Sequence, residues 1–178
     1  MSLSDPYLLY KIWPTFHGPL SYPAWFQILS FMSFQLLLMR VVPGARFSGP
    51  TTPKGNTPVY TANGLQCYAL TLVALVAVDS LGLYDISLVY DNFGHVLSCL
   101  NVFALGFCLF LYVKGAVKPS TDDAGTNGSF IMDYYWGVEL YPEVLGWDVK
   151  MFTNCRSGMM FWSVGEICFA KVREAEGG

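Results

Sequence analysis

The chain has 178 residues, of which 53% are hydrophobic, 16% are aromatic and only 13% are charged. That charged share is about half of the roughly 25% that is usual in soluble domains, so the composition argues against an ordinary soluble fold and favours a membrane protein. The net charge of -3 and the lack of a basic run in the sequence argue against a nucleic-acid partner.

Three apolar segments follow one another along the chain, at residues 24–42, 64–83 and 93–113. Each is close to the ~20 residues that a helix needs to cross a bilayer. A fourth apolar segment, residues 159–170, is shorter and carries Glu166. The pattern predicts an all-α, multi-pass transmembrane protein with three spans and a partial fourth.

The basic residues that flank these segments predict an orientation. They lie at or after the end of the first span and after the third, whereas residues 84–92, "YDISLVYDN", contain two aspartates and no Lys or Arg. By the positive-inside rule the first and third loops face the cytoplasm and the middle loop faces the lumen. The N-terminus then faces the lumen, opposed only by Lys11. The flanking basic residues are Arg40, Arg46, Lys54, Lys114 and Lys118.

The loops predict little structure of their own. Residues 43–63 are dense in Pro and Gly, which is typical of a plain connector. The sequon at Asn127 falls in the cytoplasmic third loop, where we expect no glycan. A short helix is predicted over residues 130–140 and is ended by Pro142 and Gly146.

Other classes of site are not indicated by the sequence. The first 14 residues lack the basic start and clean apolar core of a cleavable signal peptide. The five cysteines show no CxxC spacing, so we predict neither a disulfide framework nor a metal site. Asp79 lies inside the second span near its lumenal end, where it is either functional or snorkels to the interface. His95 is predicted to be interfacial.

The densest ionisable cluster follows the third loop, in "DYYWGVELYPEVLGWDVKMFTNCRSGM", residues 133–159. This stretch resembles the signature of the sterol reductase family, which includes the delta-7 and delta-14 sterol reductases and the lamin B receptor. The "TNCRSGMM" version is similar to plant-type delta-7 reductases, and "VYTANGL", residues 59–65, resembles the family's entry to its next helix. The resemblance runs from about Ile12 to about Lys171.

The resemblance implies a function and a location. Family members reduce a sterol ring double bond with NADPH in the endoplasmic reticulum membrane, and the delta-7 bond is the expected one here. Delta-14 reduction and a non-catalytic membrane role are the alternatives. Complete members have about ten membrane helices, so residues 1–178 are expected to be the N-terminal part of such a domain. The NADPH site is expected mainly in C-terminal helices, and the resemblance indicates no oligomeric state.

Four charged residues are candidates for the mouth of a substrate or cofactor site, and no catalytic residue is assigned. Asp133 and Glu139 either contact the sterol or hold their segment by pairing with Lys150 or Arg156, since ionisable groups near a membrane usually pair. Arg156 either meets a cofactor phosphate or anchors the last helix.

Two positions depart from the family signature. Glu143 stands where the family has Arg, and Ser157 stands where most members have Pro. We expect the Glu at position 143 to lose a pairing that Arg would make with a carboxylate such as that of Glu139.

Overall fold

The computed structural model describes residues 18–177. Lys11 and the segment considered above for a signal peptide lie outside the described residues. The described part is mostly helical, as predicted, and it also contains two small antiparallel hairpins that the all-α prediction did not include.

The elements follow in chain order. Helix α1 is Tyr22–Val41, strands β1 and β2 are Ala45–Ser48 and Val59–Ala62, and helices α2, α3 and α4 are Gly64–Ser80, Ser87–Asp91 and Phe93–Val117. Helix α5 is Phe130–Trp136, strands β3 and β4 are Glu143–Val144 and Trp147–Asp148, and α6 is Val149–Met151. A π-helix, Phe152–Gly158, then leads into α7, Met159–Ala175.

Two of the described helices, α1 and α4, are long and apolar enough to cross a membrane. Helix α2 is apolar but has 17 residues, because it ends at Ser80 rather than at the predicted residue 83. Of the three predicted spans, the first and third are therefore helices of spanning length, α1 and α4, and the second is the shorter helix α2. The predicted partial fourth corresponds to α7, which also has 17 residues.

Helices α1 and α2 are antiparallel, whereas α1 and α4 pack through their N-terminal turns and run in the same direction. At one end of the bundle, Ala24 and Ile28 of α1 pack against Val96 and Cys99 of α4. At the opposite end, a second cluster joins α1, α2 and α7 through Leu38, Cys67 and Met160. Between these clusters the Gln35 amide donates a hydrogen bond of 2.9 Å to Thr71 Oγ1, and both side chains are buried. A buried polar pair of this kind satisfies groups that lipid could not.

Helix α7 runs from one end of the bundle to the other. Its first turns contact the α1–α2 end, where Phe161 lies edge-on to Phe31 at 6.2 Å. Its last turns reach the other end, where Phe169 packs on Tyr90 and Phe93 with ring centroids 5.3 and 5.0 Å apart. At 17 residues the helix is about 25 Å long, so the predicted partial fourth helix extends five residues beyond residue 170.

A salt-bridge triad fixes the far end of α7. Lys171 Nζ lies 2.6 Å from Asp79 Oδ1 and 2.8 Å from Asp85 Oδ1. Asp79 also accepts a hydrogen bond from the backbone N–H of Ile86. Asp79 therefore ties α2 to the α3 segment and to α7.

The connector predicted for residues 43–63 is a β-hairpin. Phe47 and Tyr60 face each other across the strands, with ring centroids 5.5 Å apart. Aromatic and β-branched residues in "VYTA" favour a pleated strand, and the Pro- and Gly-rich stretch forms the hairpin tip. The tip is joined to the third loop, since the Asn56 amide donates to Asp122 Oδ1 and Asp123 Oδ2 at 2.6 and 2.7 Å.

Candidate functional site

The charged cluster is held on short elements that follow one another between α5 and α7. Helix α5 ends at Trp136, four residues before the predicted end, because Gly137 adopts a φ of 78° that stops the helix. The second hairpin turns through Leu145 and Gly146, with φ of 52° and 81°, as two-residue hairpin loops of type I′ require. The cluster is thus presented by turns and a hairpin rather than by one long helix.

Glu139 and Lys150 are brought together by the fold, but not as an ion pair. Lys150 Nζ donates to the backbone carbonyl oxygen of Glu139 at 2.6 Å. The Glu139 carboxylate, 2% exposed, instead pairs with Lys114 Nζ at 2.5 Å and accepts a hydrogen bond from the backbone N–H of Ser120. Lys114 is therefore the partner of Glu139, where the sequence predicts Lys150 or Arg156 as the alternative to a sterol contact.

Arg156 is buried and its guanidinium faces the first hairpin. It is 3% exposed, and Nη2 donates to Asn63 Oδ1 and, at 3.5 Å, to the Thr61 carbonyl oxygen. Asn63 is itself fully buried and donates to the Val42 carbonyl oxygen at 2.6 Å. Gly64 allows this approach, because a Cβ at that position would lie 2.9 Å from Arg156 Nη1. Arg156 thus joins the π-helix to the hairpin and to the end of α1.

Asp133 is hydrogen-bonded to the loop that precedes α5. Its carboxylate accepts hydrogen bonds from Thr126 Oγ1 and, at 3.0 Å, from the backbone N–H of Asn127. Asp133 is 6% exposed and its partners are not those of Glu139, Lys150 or Arg156. Neither Asp133 nor Glu139 makes a side-chain ion pair with Lys150 or Arg156, and the part of the four candidates in substrate or cofactor binding stays a prediction.

Glu143 does not contact Glu139. The Glu143 side chain is exposed and its backbone N–H donates to Ser120 Oγ at 2.8 Å. Its cross-strand neighbour is Asp148, which caps α6 by accepting from the Met151 N–H at 2.8 Å. The expected carboxylate partner of an Arg at position 143 is therefore Asp148 rather than Glu139, because Lys114 and Ser120 already occupy the Glu139 carboxylate.

A cavity of about 380 Å³ opens beside this cluster, between the first hairpin and the π-helix. The sequence did not single it out as a site, since its two walls are some 80 residues apart along the chain. Its apolar wall carries Phe47, Leu140 and Met151, and its polar groups come from Tyr60, Tyr141, Asp148, Lys150, Asn154 and Cys155.

Electrostatics in the cavity disfavour charge. Burial lowers the pKa of the Lys150 ammonium, although the Asp148 and Glu139 carboxylates partly oppose that effect. Burial also raises the pKa of the Tyr60 hydroxyl, with smaller contributions from Asp148 and from a hydrogen bond to Tyr141. Among residues 18–177, no three His, Cys, Asp or Glu side chains are grouped to hold a metal ion.

Comparison with known proteins finds relatives that are sterol reductases. The ergosterol biosynthesis ERG4/ERG24 family model matches residues 9–175. A 7-dehydrocholesterol reductase from Arabidopsis thaliana is 44% identical over 142 residues, which is 79% of this chain and 33% of that protein. A delta(14)-sterol reductase from Methylotuvimicrobium alcaliphilum is 30% identical over 157 residues, 88% of this chain and 35% of the relative.

A third relative is the delta(14)-sterol reductase of Dictyostelium discoideum, 26% identical over 156 residues, 88% of this chain and 32% of that protein. The chain thus spans about a third of the length of the curated relatives that it matches.

Proposed function

Because the chain belongs to the ergosterol biosynthesis ERG4/ERG24 family, we propose that it forms part of an NADPH-dependent reductase of the sterol delta-7 double bond. The observation that carries the choice of bond is the 44% identity to a 7-dehydrocholesterol reductase, against 30% and 26% for two delta(14)-sterol reductases. Since the chain spans a third of those relatives, the activity of a complete reductase is part of the proposal.

The reaction adds a proton and a hydride to the two neighbouring carbons of the double bond. An acid must lie near the ring to supply the proton, and the pocket must exclude water from the carbocation that forms. The nicotinamide cofactor, when bound, supplies the hydride.

The cations of the described cluster do not fit the phosphates of NADPH. Arg156 is buried against Asn63, Lys114 is paired with Glu139, and Lys150 is bound to a backbone carbonyl. Receiving a phosphate would require each of these cations to give up a buried partner, at a cost of about 1–3 kcal/mol for each group left unsatisfied. We therefore assign no step of hydride transfer to this cluster.

The proposal includes a multi-pass arrangement in the endoplasmic reticulum membrane, with residues 1–178 as one part of the membrane domain. Its support is the end-to-end course of α7 and the hydrogen bonds that join the first and third loops, the two loops that carry the basic flanks. On this arrangement the charged cluster and the cavity face the cytoplasm. The lumenal end of α7 carries Lys171, whose charge Asp79 and Asp85 neutralise.

Delta-14 reduction is the second candidate function. It is favoured by the delta(14)-sterol reductase matches, which cover 88% of this chain against 79% for the 7-dehydrocholesterol reductase. The share of the chain that aligns reflects a common architecture, whereas the percentage identity reflects common side chains. Because side chains determine which double bond is reduced, we give the identity more weight.

The test is an exchange of segments. The part of the Arabidopsis 7-dehydrocholesterol reductase that aligns with this chain is replaced by the matching residues of this chain, and the chimera is expressed in membranes. We expect NADPH-dependent reduction of cholesta-5,7-dien-3-ol, while this chain expressed alone gives none. A chimera that is present at normal levels but inactive would contradict the proposal, and turnover by the chain alone would show that it holds its own cofactor site.

A further inference from the structure

The cavity between the first hairpin and the π-helix is lined by nine residues from both of these elements and from the segment between α5 and the π-helix. Phe47 and Tyr60 form one wall, on paired positions of β1 and β2. Asn154 and Cys155, on the π-helix, form the opposite wall. Its volume of about 380 Å³ falls within the roughly 300–1,000 Å³ typical of small-molecule sites.

Hydrogen bonds hold the walls of the cavity in place. The π-helix is fixed to the hairpin by the hydrogen bond from Arg156 to Asn63, and neither residue lines the cavity. Asp148 is fixed as the cap of α6, and Lys150 is fixed by its bond to the Glu139 carbonyl. π-Helical turns are rare and occur frequently at functional sites, which adds weight to this one.

The charges of the cavity select against an ionic ligand. Asp148 and Lys150 line it together and their formal charges cancel. The surroundings that lower the pKa of Lys150 are poorly hydrated, so a phosphate or carboxylate would be desolvated there without a net counter-charge. A neutral ligand with an apolar body and one hydroxyl group meets the walls without that cost.

The polar groups of the cavity can bind one hydroxyl group of a ligand. The Tyr60 and Tyr141 side chains line the cavity together with Asp148. Asp148 Oδ1 accepts the Met151 N–H, which leaves Oδ2 as an acceptor for a ligand hydroxyl. Phe47, Leu140 and Met151 supply apolar surface for a ring system.

We propose that this cavity receives the hydroxyl-bearing end of a sterol at the membrane surface, with Asp148 and Tyr60 bonding the sterol hydroxyl. The proposal rests on the proposed function, because the sterol class comes from the family. It adds a contact site for the hydroxyl end, made by this chain's own hairpin and π-helix.

The test measures recognition of the hydroxyl group. The 178-residue chain is reconstituted in phosphatidylcholine vesicles and its binding of radiolabelled cholesta-5,7-dien-3-ol is compared with that of the 3-methyl ether. We expect the free alcohol to bind about tenfold more tightly, as the loss of a hydrogen bond to a charged group predicts. Equal binding of the alcohol and the ether by the unmodified chain would overturn the proposal.

Two variants that preserve the fold locate the contact. Tyr60→Phe keeps the ring against Phe47, and Asp148→Asn keeps a side chain that caps a helix as well as Asp does. The double variant should bind the alcohol and the ether within twofold of each other. Tyr135→Phe with Asp91→Asn, two exposed positions outside the cavity, should retain the preference. A double variant that keeps the tenfold preference would place the hydroxyl elsewhere.

Competition separates the sterol from the cofactor. NADPH should leave sterol binding unchanged, whereas displacement of the sterol by NADPH would assign the cavity to the cofactor and overturn the proposal. Activity of the chimera is a separate readout. An active chimera beside a chain that does not distinguish alcohol from ether would refute this inference alone, and an inactive chimera beside a chain that keeps the preference would refute the proposed function alone.

Discussion

Arg156 is a buried cation whose described partners are neutral oxygens. Its guanidinium donates to the side chain of Asn63 and to the carbonyl of Thr61, and Asn63 in turn donates to the end of α1. A charge held in this way stabilises the junction of three segments, since its removal leaves buried acceptors unsatisfied.

We predict that Arg156→Ala lowers the free energy of unfolding by about 1.5–3 kcal/mol, the value of a hydrogen bond to a charged group. Arg173→Ala, on the exposed side of α7, is the matched control and should change it by less than about 0.5 kcal/mol. Denaturant unfolding in detergent micelles measures both. Equal stabilities of the two variants would mean that the Arg156 contacts contribute nothing.

Glu143→Arg places a cation opposite Asp148 across the second hairpin. Such a cross-strand pair contributes roughly 0.2–1 kcal/mol. We therefore expect a change in the chimera's specific activity of less than about fivefold. Glu143→Gln, measured beside it at matched expression, separates removal of the negative charge from gain of the positive one. A rise of tenfold or more with Arg would reveal a contact that the hairpin geometry does not offer.

At the scale of elements, the helices could be read from the sequence and the hairpins could not. Long apolar runs mark α1, α2 and α4, and the runs of α1 and α4 reach the length that a bilayer requires. Four strands of two to four residues carry too little periodicity to stand out from loops. Helix α5 ends at Trp136 rather than at the predicted residue 140 because of the conformation of Gly137, which the sequence pattern does not reveal.

The cluster of charged residues could be located from the sequence, but its contacts could not. Glu139 and Arg156 are prominent in the sequence as charges beside apolar runs. Their partners Lys114 and Asn63 are 25 and 93 residues away and are joined to them only by the fold. The cavity has the same origin, since its walls come from a hairpin and a π-helix that no local pattern connects.

The far end of α7 predicts an acid sensitivity. Hydrogen bonds from Lys171 and Ser87 lower the pKa of Asp85 to about 2, below the ~3.9 of an unfolded Asp. A depressed folded pKa gives stability that is present above about pH 4 and is lost as the pH falls towards 2. The denaturation midpoint should therefore decline over that range, and Asp85→Asn should reduce the decline, whereas Asp91→Asn should leave it unchanged. Identical pH profiles for the two variants would contradict the role of Asp85.

At the scale of the whole molecule, the arrangement predicts which loops meet the glycosylation machinery. The first and third loops are hydrogen-bonded to each other and carry the basic flanks, so both should face the cytoplasm. In microsomes the native sequon at Asn127 should stay unmodified, and a sequon in a lengthened 84–92 loop should receive a glycan. If native Asn127 carried a glycan that an endoglycosidase removes, the third loop would face the lumen and the proposed orientation would be wrong.

Substrate selectivity decides between reduction of the delta-7 bond and reduction of the delta-14 bond. Membranes that contain the chimera are given NADPH with equal amounts of a 5,7-diene and an 8,14-diene sterol, and both products are quantified by mass spectrometry. We predict that the chimera reduces the 5,7-diene in at least tenfold preference, as the unmodified Arabidopsis parent is expected to do in the same assay. Preferential reduction of the 8,14-diene by the chimera, beside a parent that prefers the 5,7-diene, would contradict it and assign the chain to delta-14 reduction.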